Sequence, residues 1–152
     1  MREDQWKPNV TVAAVIERDG RYLLVEEETA EGIRFNQPAG HLEDGESLLE
    51  AVVRETLEET RYIFCPTALV GIYQWPRPQG DITYLRFAFA GEIIGEEQDR
   101  PLDAGIIAPR WVTLDEVRAS TMRHRSPLIL QCIEDLAAGN PYPLELIRHY
   151  TK

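Results

Sequence analysis

Runs of apolar residues divide the first part of the chain into strand-like segments. Residues 10–17 (VTVAAVIE) and 21–28 (RYLLVEEE) predict two strands, because both are rich in aliphatic residues. The Asp19-Gly20 pair between them predicts a tight hairpin turn, since glycine tolerates the positive φ angle that such turns require. Residues 29–39, which are broken by glycine and proline, predict a loop.

The second half of the chain shows the same kind of pattern. Strands are predicted at residues 68–75, 81–94 and 108–114. The clearest alternation of apolar and polar positions lies in residues 81–94 (DITYLRFAFAGEII), where the period of two is typical of a strand. Residues 95–105 (GEEQDRPLDAG) carry no such period and predict an acidic loop.

Three helix starts are predicted from capping residues. Ser or Thr followed three residues later by Glu forms a capping box, which satisfies two backbone N–H groups at a helix start. Proline is favoured at the first position of a helix. The predicted starts are Ser47 with Glu50, Thr113 with Glu116, and Ser126 with Pro127. Strands mixed with these helices predict an α/β fold, a mixed β-sheet packed between helices, as one domain over residues 1–152.

Composition and charge narrow the classes of partner. The net charge is −10, which argues against nucleic acid and anionic membranes, because both are bound largely through Lys and Arg. No apolar run reaches the roughly 18 residues that a membrane span needs. The polar first residues and two distant cysteines, Cys65 and Cys132, favour a cytoplasmic protein. A small phosphorylated ligand stays possible if a divalent cation mediates the contact.

The segment of residues 40–60 (GHLEDGESLLEAVVRETLEET) combines six glutamates and one aspartate with a helical apolar pattern. At about 100° per residue, Glu55, Glu58 and Glu59 share an arc of roughly 100°. The arc overlaps the edge of the apolar face, which is expected to pack on the sheet. That face is predicted to contain Leu48, Leu49, Val52, Val53, Thr56 and Leu57.

Two interpretations of these acids follow. On an exposed helix each pair of like charges costs only a few tenths of a kcal/mol, so a solvated acidic face would need no ligand. Beside an apolar wall, two carboxylates about 6 Å apart repel by roughly 3 kcal/mol. Neither Arg54 nor Arg61 is expected to reach the middle of the group. A divalent cation would neutralise it, and oxygen ligands favour Mg²⁺ or Mn²⁺ over Zn²⁺.

The spacing of the charged residues favours the metal. In order, the fixed positions are Gly40, Glu46, Arg54, Glu55, Glu58 and Glu59, with five residues after the glycine and seven after the first glutamate. This pattern resembles the Nudix box of the Nudix hydrolase family, G-x5-E-x7-R-E-U-x-E-E-x-G-U, where U is a large aliphatic residue. Thr56 departs from it at an aliphatic position. Arg61 replaces the glycine, and a local change in the helix exit is expected there.

The resemblance implies a fold, a cofactor and roles for individual residues. The fold would be the Nudix α/β/α sandwich, and the cofactor Mg²⁺, with Mn²⁺ as a possible substitute. The implied catalytic and metal-binding residues are Glu55, Glu58 and Glu59, joined at the metal by the carbonyl of Ala39. Gly40 would let the backbone approach the metal closely. Glu46 and Arg54 would form an ion pair that braces the loop against the helix.

Segments outside the box extend the resemblance to one phosphatase branch of the family. They include FNQPAGHLE (35–43), QWPRP (74–78) and RWVTLDEV (110–117). The branch hydrolyses hydroxymethylpyrimidine pyrophosphate, thiamine pyrophosphate and nucleoside di- and triphosphates, and it releases inorganic phosphate. The resemblance therefore implies a small-molecule pyrophosphate or nucleotide substrate and a monomer or small homo-oligomer.

Several residues outside the acidic helix are candidates for binding the substrate. Aromatic rings can stack on a base, amides can bind a base edge, and an arginine can bind phosphate, although packing or surface positions explain each equally well. The candidates are Phe35, Asn36, Gln37, Gln74, Trp75 and Arg86. Some family members place a further carboxylate late in the chain, and here Glu97, Asp99 and Asp103 stay open for that role.

Two other functions compete with the phosphatase. One is a nucleotide-pool sanitising enzyme that cleaves nucleoside triphosphates to the monophosphate and pyrophosphate. The other is a Nudix-like module that binds ligands without catalysis, against which the intact acids argue. A calcium-binding EF-hand is disfavoured, because the chain lacks the alternating Asp/Asn loop with its central glycine.

Overall fold

The computed structural model describes residues 4–152, so the first three residues of the predicted domain lie outside the described part. The strands are β1 (Asn9–Val15), β2 (Glu17–Arg18), β3 (Arg21–Thr29), β4 (Gly32–Asn36), β5 (Ala39–His41), β6 (Tyr62–Pro76), β7 (Thr83–Glu96) and β8 (Ile106–Thr113). The helices are α1 (Leu48–Thr60), α2 (Leu114–Ala119) and α3 (Leu128–Ala137), with 3₁₀ turns at Thr121–Arg123 and Leu144–Leu146.

The strands form two four-stranded sheets. One has the order β5-β1-β7-β6 and is mixed, because β1 and β7 run parallel while the two outer pairs are antiparallel. In the other sheet, β3 pairs antiparallel with β2, β4 and β8. The predicted α/β class with a mixed sheet is confirmed, and the strands divide between two sheets.

Both faces of the mixed sheet are covered by helices. Neighbouring residues of β1 point to opposite faces, as the pleat of a strand requires. Val12 belongs to a buried cluster with Val52 of α1, and Ala13 belongs to a second buried cluster with Ile129 of α3. The layers are therefore helix, sheet and helix, which confirms the predicted sandwich. Among the described helices, none has the length and apolarity needed to cross a membrane.

The loop predicted over residues 29–39 is wrong in part. Five of these residues form β4, which pairs with β3, and Ala39 begins β5, which pairs with β1. Strands of five and three residues are too short to show a period in the sequence, and pairing with a neighbour decides their conformation. The predicted turn at Asp19 and Gly20 is confirmed, with φ angles of 53° and 79°.

Helix α1 starts as predicted, and its buried face overlaps the predicted one in part, at Val52 and Thr56. The capping box of Ser47 and Glu50 is present. The buried positions are Ala51, Val52, Glu55, Thr56 and Thr60, whereas Leu49, Val53 and Leu57 are only half-buried. Small side chains let the helix lie close to the sheet. The Thr56 hydroxyl donates to the Val52 carbonyl at 2.7 Å, so threonine at this aliphatic position leaves no buried polar group unpaired.

The predicted change in the helix exit at Arg61 is wrong. Arg61 itself adopts the left-handed conformation that glycine would take, with a φ angle of 70°, and its N–H donates to the Leu57 carbonyl. Two contacts to the following acidic loop hold it there. The Arg61 guanidinium donates to the Arg100 carbonyl, and the Arg61 carbonyl accepts from the Glu97 N–H at 2.9 Å.

We expect Arg61→Ala to lower the free energy of unfolding by about 1 kcal/mol, because it removes the hydrogen bond to Arg100 and keeps the strained backbone. Arg61→Gly should be more stable than the alanine variant by about 1 kcal/mol, since glycine adopts positive φ without steric strain. Urea denaturation of the two variants measures the difference, and equal midpoints would contradict the expectation.

Candidate active site

Helix α1 and the acidic loop bring three carboxylates together. Glu55 and Glu58 lie one turn apart on the same face of α1, as an i,i+3 pair does. Asp103 meets them from the loop, and one carboxylate oxygen of each residue lies within 4.8 Å of those of the other two. Of the three late-chain candidates, the structure therefore brings Asp103 to the acids of the box.

Backbone hydrogen bonds hold the acidic loop against the end of α1. The Asp103 N–H donates to the Glu58 carbonyl at 3.1 Å, and the Glu97 N–H donates to the Arg61 carbonyl at 2.9 Å. The last carbonyls of a helix lack partners within the helix, so the loop also satisfies them. The position of the Asp103 carboxylate is thus fixed by the way in which α1 ends.

Glu59 turns away from this cluster toward β5. Its Oε1 accepts the Ala39 N–H at 2.9 Å, and burial raises the pKa of Glu59 to about 9. Ala14 donates to the Pro38 carbonyl across the β1–β5 ladder, so Ala39, one residue on, falls in a non-hydrogen-bonded pair. The N–H and carbonyl of Ala39 both point away from β1, and the carbonyl is left available to a ligand at the edge of the sheet.

Arg54 reaches the acids, contrary to the expectation from the sequence. Its guanidinium binds Glu46 through two hydrogen bonds of 2.7 and 3.0 Å, and a third bond of 2.8 Å goes to Glu55. Further contacts go to the His41 carbonyl at 3.0 Å and to Glu58 at 3.4 Å. The long side chain folds back over its own helix, which spacing alone did not indicate. The hydrogen bond from Arg54 lowers the pKa of Glu46.

Two of the three carboxylates are withdrawn from water, since Glu55 is buried and Glu58 half-buried, whereas Asp103 is exposed. Glu55 is only 9% exposed, and burial is the main cause that raises the pKa values of both Glu55 and Glu58. The interpretation as a solvated acidic face is therefore wrong. Arg54 supplies one positive charge to a group of several acids, and this leaves the cluster short of positive charge.

Gly40 packs directly against the cluster. A Cβ atom added to Gly40 would lie within 2.5 Å of the Glu55 Cδ atom and of both its carboxylate oxygens. The backbone of Gly40 does not have positive φ. A glycine is therefore needed here for space, because any side chain would displace the Glu55 carboxylate.

A cavity of about 800 Å³, called the central cavity below, opens beside these residues. Ala39, Gly40 and Glu59 line one part of it. Elsewhere it is lined by Trp75 and Tyr84, whose rings are stacked with centroids 6.0 Å apart and an interplanar angle of 15°. Such a pair offers an apolar surface to a planar group.

Three of the substrate candidates line the central cavity, namely Asn36, Trp75 and Arg86. Gln37 does not, because it is fully buried and uses both ends of its amide. It donates to the Ile129 carbonyl at 2.8 Å and accepts from Arg86 at 2.9 Å. Gln37 therefore holds Arg86 in position from the buried side, away from the cavity.

The two remaining candidates lie outside the cavity lining. Phe35 belongs to the core, with the Arg123 guanidinium 4.4 Å from its ring centroid. Gln74 is exposed and follows the alternation of β6, which directs it away from the face that carries Trp75. Packing explains the position of Phe35, and strand alternation explains that of Gln74.

The cavity also contains residues that the sequence did not single out. Tyr84 reaches Trp75 only because the register of β6 and β7 pairs them. His124 and Arg125 arrive through a connection between β4 and the segment before α3, in which the Arg125 N–H donates to the Phe35 carbonyl at 2.9 Å. Burial lowers the pKa of His124. No local sequence pattern predicts these contacts, since each depends on tertiary pairing.

The family is shown by comparison with known proteins. The NUDIX domain family matches residues 6–131, so the chain belongs to the Nudix family, and it is a Nudix hydrolase. This confirms the family predicted from the acidic box.

The phosphatase branch predicted from the sequence is that of NudJ. Phosphatase NudJ of Escherichia coli (strain K12) is 41% identical over 143 residues, which cover 93% of this chain and 92% of the relative. Phosphatase NudJ of Shigella sonnei gives the same values. A solved NUDIX hydrolase from Nitrosomonas europaea is 53% identical, with a TM-score of 0.92 and coverage of 95% of this chain and 98% of its own.

Proposed function

We propose that this Nudix hydrolase cleaves phosphoanhydride bonds in small molecules with the help of Mg²⁺, for which Mn²⁺ can substitute, and releases inorganic phosphate. Hydroxymethylpyrimidine pyrophosphate, thiamine pyrophosphate and nucleoside di- and triphosphates are the proposed substrates. The convergence of Glu55, Glu58 and Asp103 beside the central cavity carries the proposal. The free thiols Cys65 and Cys132 support the cytoplasm as its location, and a monomer or small homo-oligomer as its state is part of the proposal.

The donor set fits the proposed metal. Carboxylate oxygens converge from Glu55, Glu58 and Asp103, with Glu59 and the Ala39 carbonyl nearby, and no soft ligand stands among them. Hard oxygen donors of this kind are typical of magnesium sites. When bound there, Mg²⁺ would supply the positive charge that the phosphoryl oxygens and the leaving group require.

Individual residues of the chain would have separate roles in positioning the acids, the water and the substrate. Arg54 would hold Glu55 and Glu58 in place while it braces Glu46 and the loop. Glu55 would orient the attacking water and accept its proton. The stacked rings of Trp75 and Tyr84 would hold the organic part of the substrate. Most of the acceleration would then come from positioning and from electrostatic stabilisation.

Saturating Mg²⁺ is expected to raise the Tm of the wild-type protein by about 5–10 °C at concentrations near 100 times the Kd. The cation would relieve repulsion among the converging carboxylates. Asp103→Asn should abolish most of this shift, because it replaces one of the three converging carboxylates by a neutral amide. Asp99→Asn is the matched control on the same loop and should keep the shift. An unchanged wild-type Tm across a Mg²⁺ titration would count against the metal site.

A substrate panel tests the proposed reaction directly. The purified protein is incubated with thiamine pyrophosphate, hydroxymethylpyrimidine pyrophosphate and nucleotides in Mg²⁺ or Mn²⁺, and released phosphate and pyrophosphate are assayed separately. Release of phosphate is expected. Pyrophosphate from nucleoside triphosphates would instead favour the nucleotide-sanitising reaction. No hydrolysis of any compound would favour a ligand-binding module.

A further inference from the structure

We propose that Arg86 and Asn36 form an anion-binding subsite in the central cavity, which holds a phosphoryl group of the substrate that the acidic cluster does not hold. The inference rests on the proposed function, because it names which part of a pyrophosphate substrate this wall of the cavity recognises.

Arg86 is a buried cation whose polar partners are neutral. It is 7% exposed, and its guanidinium donates to Gln37 Oε1 at 2.9 Å and to Asn36 Oδ1 at 3.1 Å. Within residues 4–152, no carboxylate lies within 4.0 Å of it. Burying a charge without a counter-charge is unfavourable by several kcal/mol. An anionic ligand would therefore supply the counter-charge that the protein does not provide to Arg86.

The other arginines around the cavity differ from Arg86. Arg77 pairs with Asp81, Arg125 pairs with Glu27, and Arg34 is only half-buried. Each of these guanidinium groups either has a carboxylate partner or is open to water. Arg86 combines burial, a position on the cavity wall and neutral partners.

The partners of Arg86 leave only donors facing the ligand. Gln37 donates to the Ile129 carbonyl, which fixes its amide so that its oxygen faces Arg86. Asn36 also turns its oxygen to Arg86, so its NH₂ group is free to donate into the cavity it lines. A guanidinium carries five N–H donors, and only two are used by these amides. The guanidinium of Arg86 and the NH₂ group of Asn36 are both hydrogen-bond donors, so they favour a ligand with acceptor atoms. The positive charge of Arg86 favours an anionic ligand.

The strand register places this subsite between the edge strand β5, against which the acidic cluster packs, and the aromatic pair. Arg86 lies opposite Thr11 of β1, and Thr11 lies opposite His41 of β5. Two strand spacings, about 9.5 Å, therefore separate the Arg86 backbone from the strand that carries Gly40. Tyr84 lies two residues from Arg86 on the same face of β7. A substrate with its anhydride at the carboxylates and its ring on Tyr84 would carry its remaining phosphoryl oxygens past Arg86.

The first test measures binding of inorganic pyrophosphate to the metal-free protein by isothermal titration calorimetry. Arg86→Gln should weaken the Kd by about 10- to 100-fold, because charge-assisted hydrogen bonds are lost. Asn36→Asp keeps Arg86 and nearly the same shape, and its new carboxylate should neutralise the guanidinium and weaken the Kd similarly. Arg118→Gln, at an exposed position of α2, is the matched control and should bind as the wild type does. Equal binding by all four proteins, or none by the wild type, would overturn the proposal.

The second test separates a phosphoryl group from a ring as the bound group. With Mg²⁺ present, Arg86→Gln and Asn36→Asp should raise the KM for inorganic tripolyphosphate, which has no ring, as much as for thiamine pyrophosphate. A KM that rises only for thiamine pyrophosphate would assign Arg86 to the ring and overturn the subsite. If the wild type binds pyrophosphate through Arg86 but hydrolyses nothing, the proposed reaction fails and the subsite stands.

Discussion

Glu55→Gln is expected to lower kcat for phosphoanhydride hydrolysis by about a hundred- to a thousand-fold. The Glu55 carboxylate belongs to the converging cluster, touches the Gly40 backbone and receives a hydrogen bond from Arg54. Glutamine keeps the shape of the side chain and removes both the charge and the ability to accept a proton. Steady-state kinetics at saturating Mg²⁺ on thiamine pyrophosphate would measure the loss.

The stability of the same variant distinguishes loss of chemistry from loss of fold. Burial raises the pKa of Glu55 above its ordinary value, so the folded state disfavours the ionised form at neutral pH. A raised carboxylate pKa makes the charge a destabilising feature above the unfolded-state pKa. In metal-free buffer at pH 7, Glu55→Gln should therefore unfold at a urea concentration no lower than the wild type. Glu92→Gln, exposed on β7, is the control for activity. Near-normal kcat in the Glu55 variant would refute the assignment.

The acidic helix was predictable because its information is local. A capping box fixes where α1 starts, and from that point the helical period alone puts Glu55 and Glu58 on one face. Asp103 was only one of three open candidates, since its position depends on how the loop docks on the last turn of α1. Charge and composition indicated only that the further carboxylate lies in the acidic loop. Tertiary contacts decide which residue of the loop it is.

The parts that sequence reasoning missed share one physical cause. Strand β5 has three residues, and its conformation comes from pairing with β1 rather than from its own pattern. Arg54 was expected to fall short of the acids, yet a flexible side chain can fold back over its helix to reach both Glu46 and Glu55. The buried face of α1 followed the close fit of small residues to the sheet rather than the largest apolar side chains.

The electrostatic design of the cavity becomes visible only in three dimensions. Helix α1 brings Glu59 to one part of the wall, beside the cluster of Glu55, Glu58 and Asp103, and strand β7 brings the buried cation Arg86 to another. A phosphoanhydride with a bound cation offers both signs of charge. The net charge of −10 indicated a need for a mediating cation, but it concealed the local positive site.

Gly40→Ala is expected to lower kcat/KM by about a hundred-fold or more while the protein stays folded. The added Cβ would overlap the Glu55 carboxylate, which must then leave its place in the cluster. A displacement of about 1 Å in a positioning group is enough for a loss of this size. Alanine fits the backbone of Gly40, whose φ is not positive, so the effect reports the lost space rather than backbone strain.

Gly95→Ala is the matched control for this substitution. Gly95 also lies in a strand without positive φ, but its added Cβ would meet the Ile63 side chain, whose flexible Cδ1 end is the nearest atom, at 3.1 Å. That neighbour can shift, so activity and the Mg²⁺-dependent rise in Tm should be retained. In Gly40→Ala both should fall together, because the same carboxylate serves the metal and the reaction. If Gly40→Ala kept full Mg²⁺ stabilisation and full activity, Glu55 would not be the group on which this site depends.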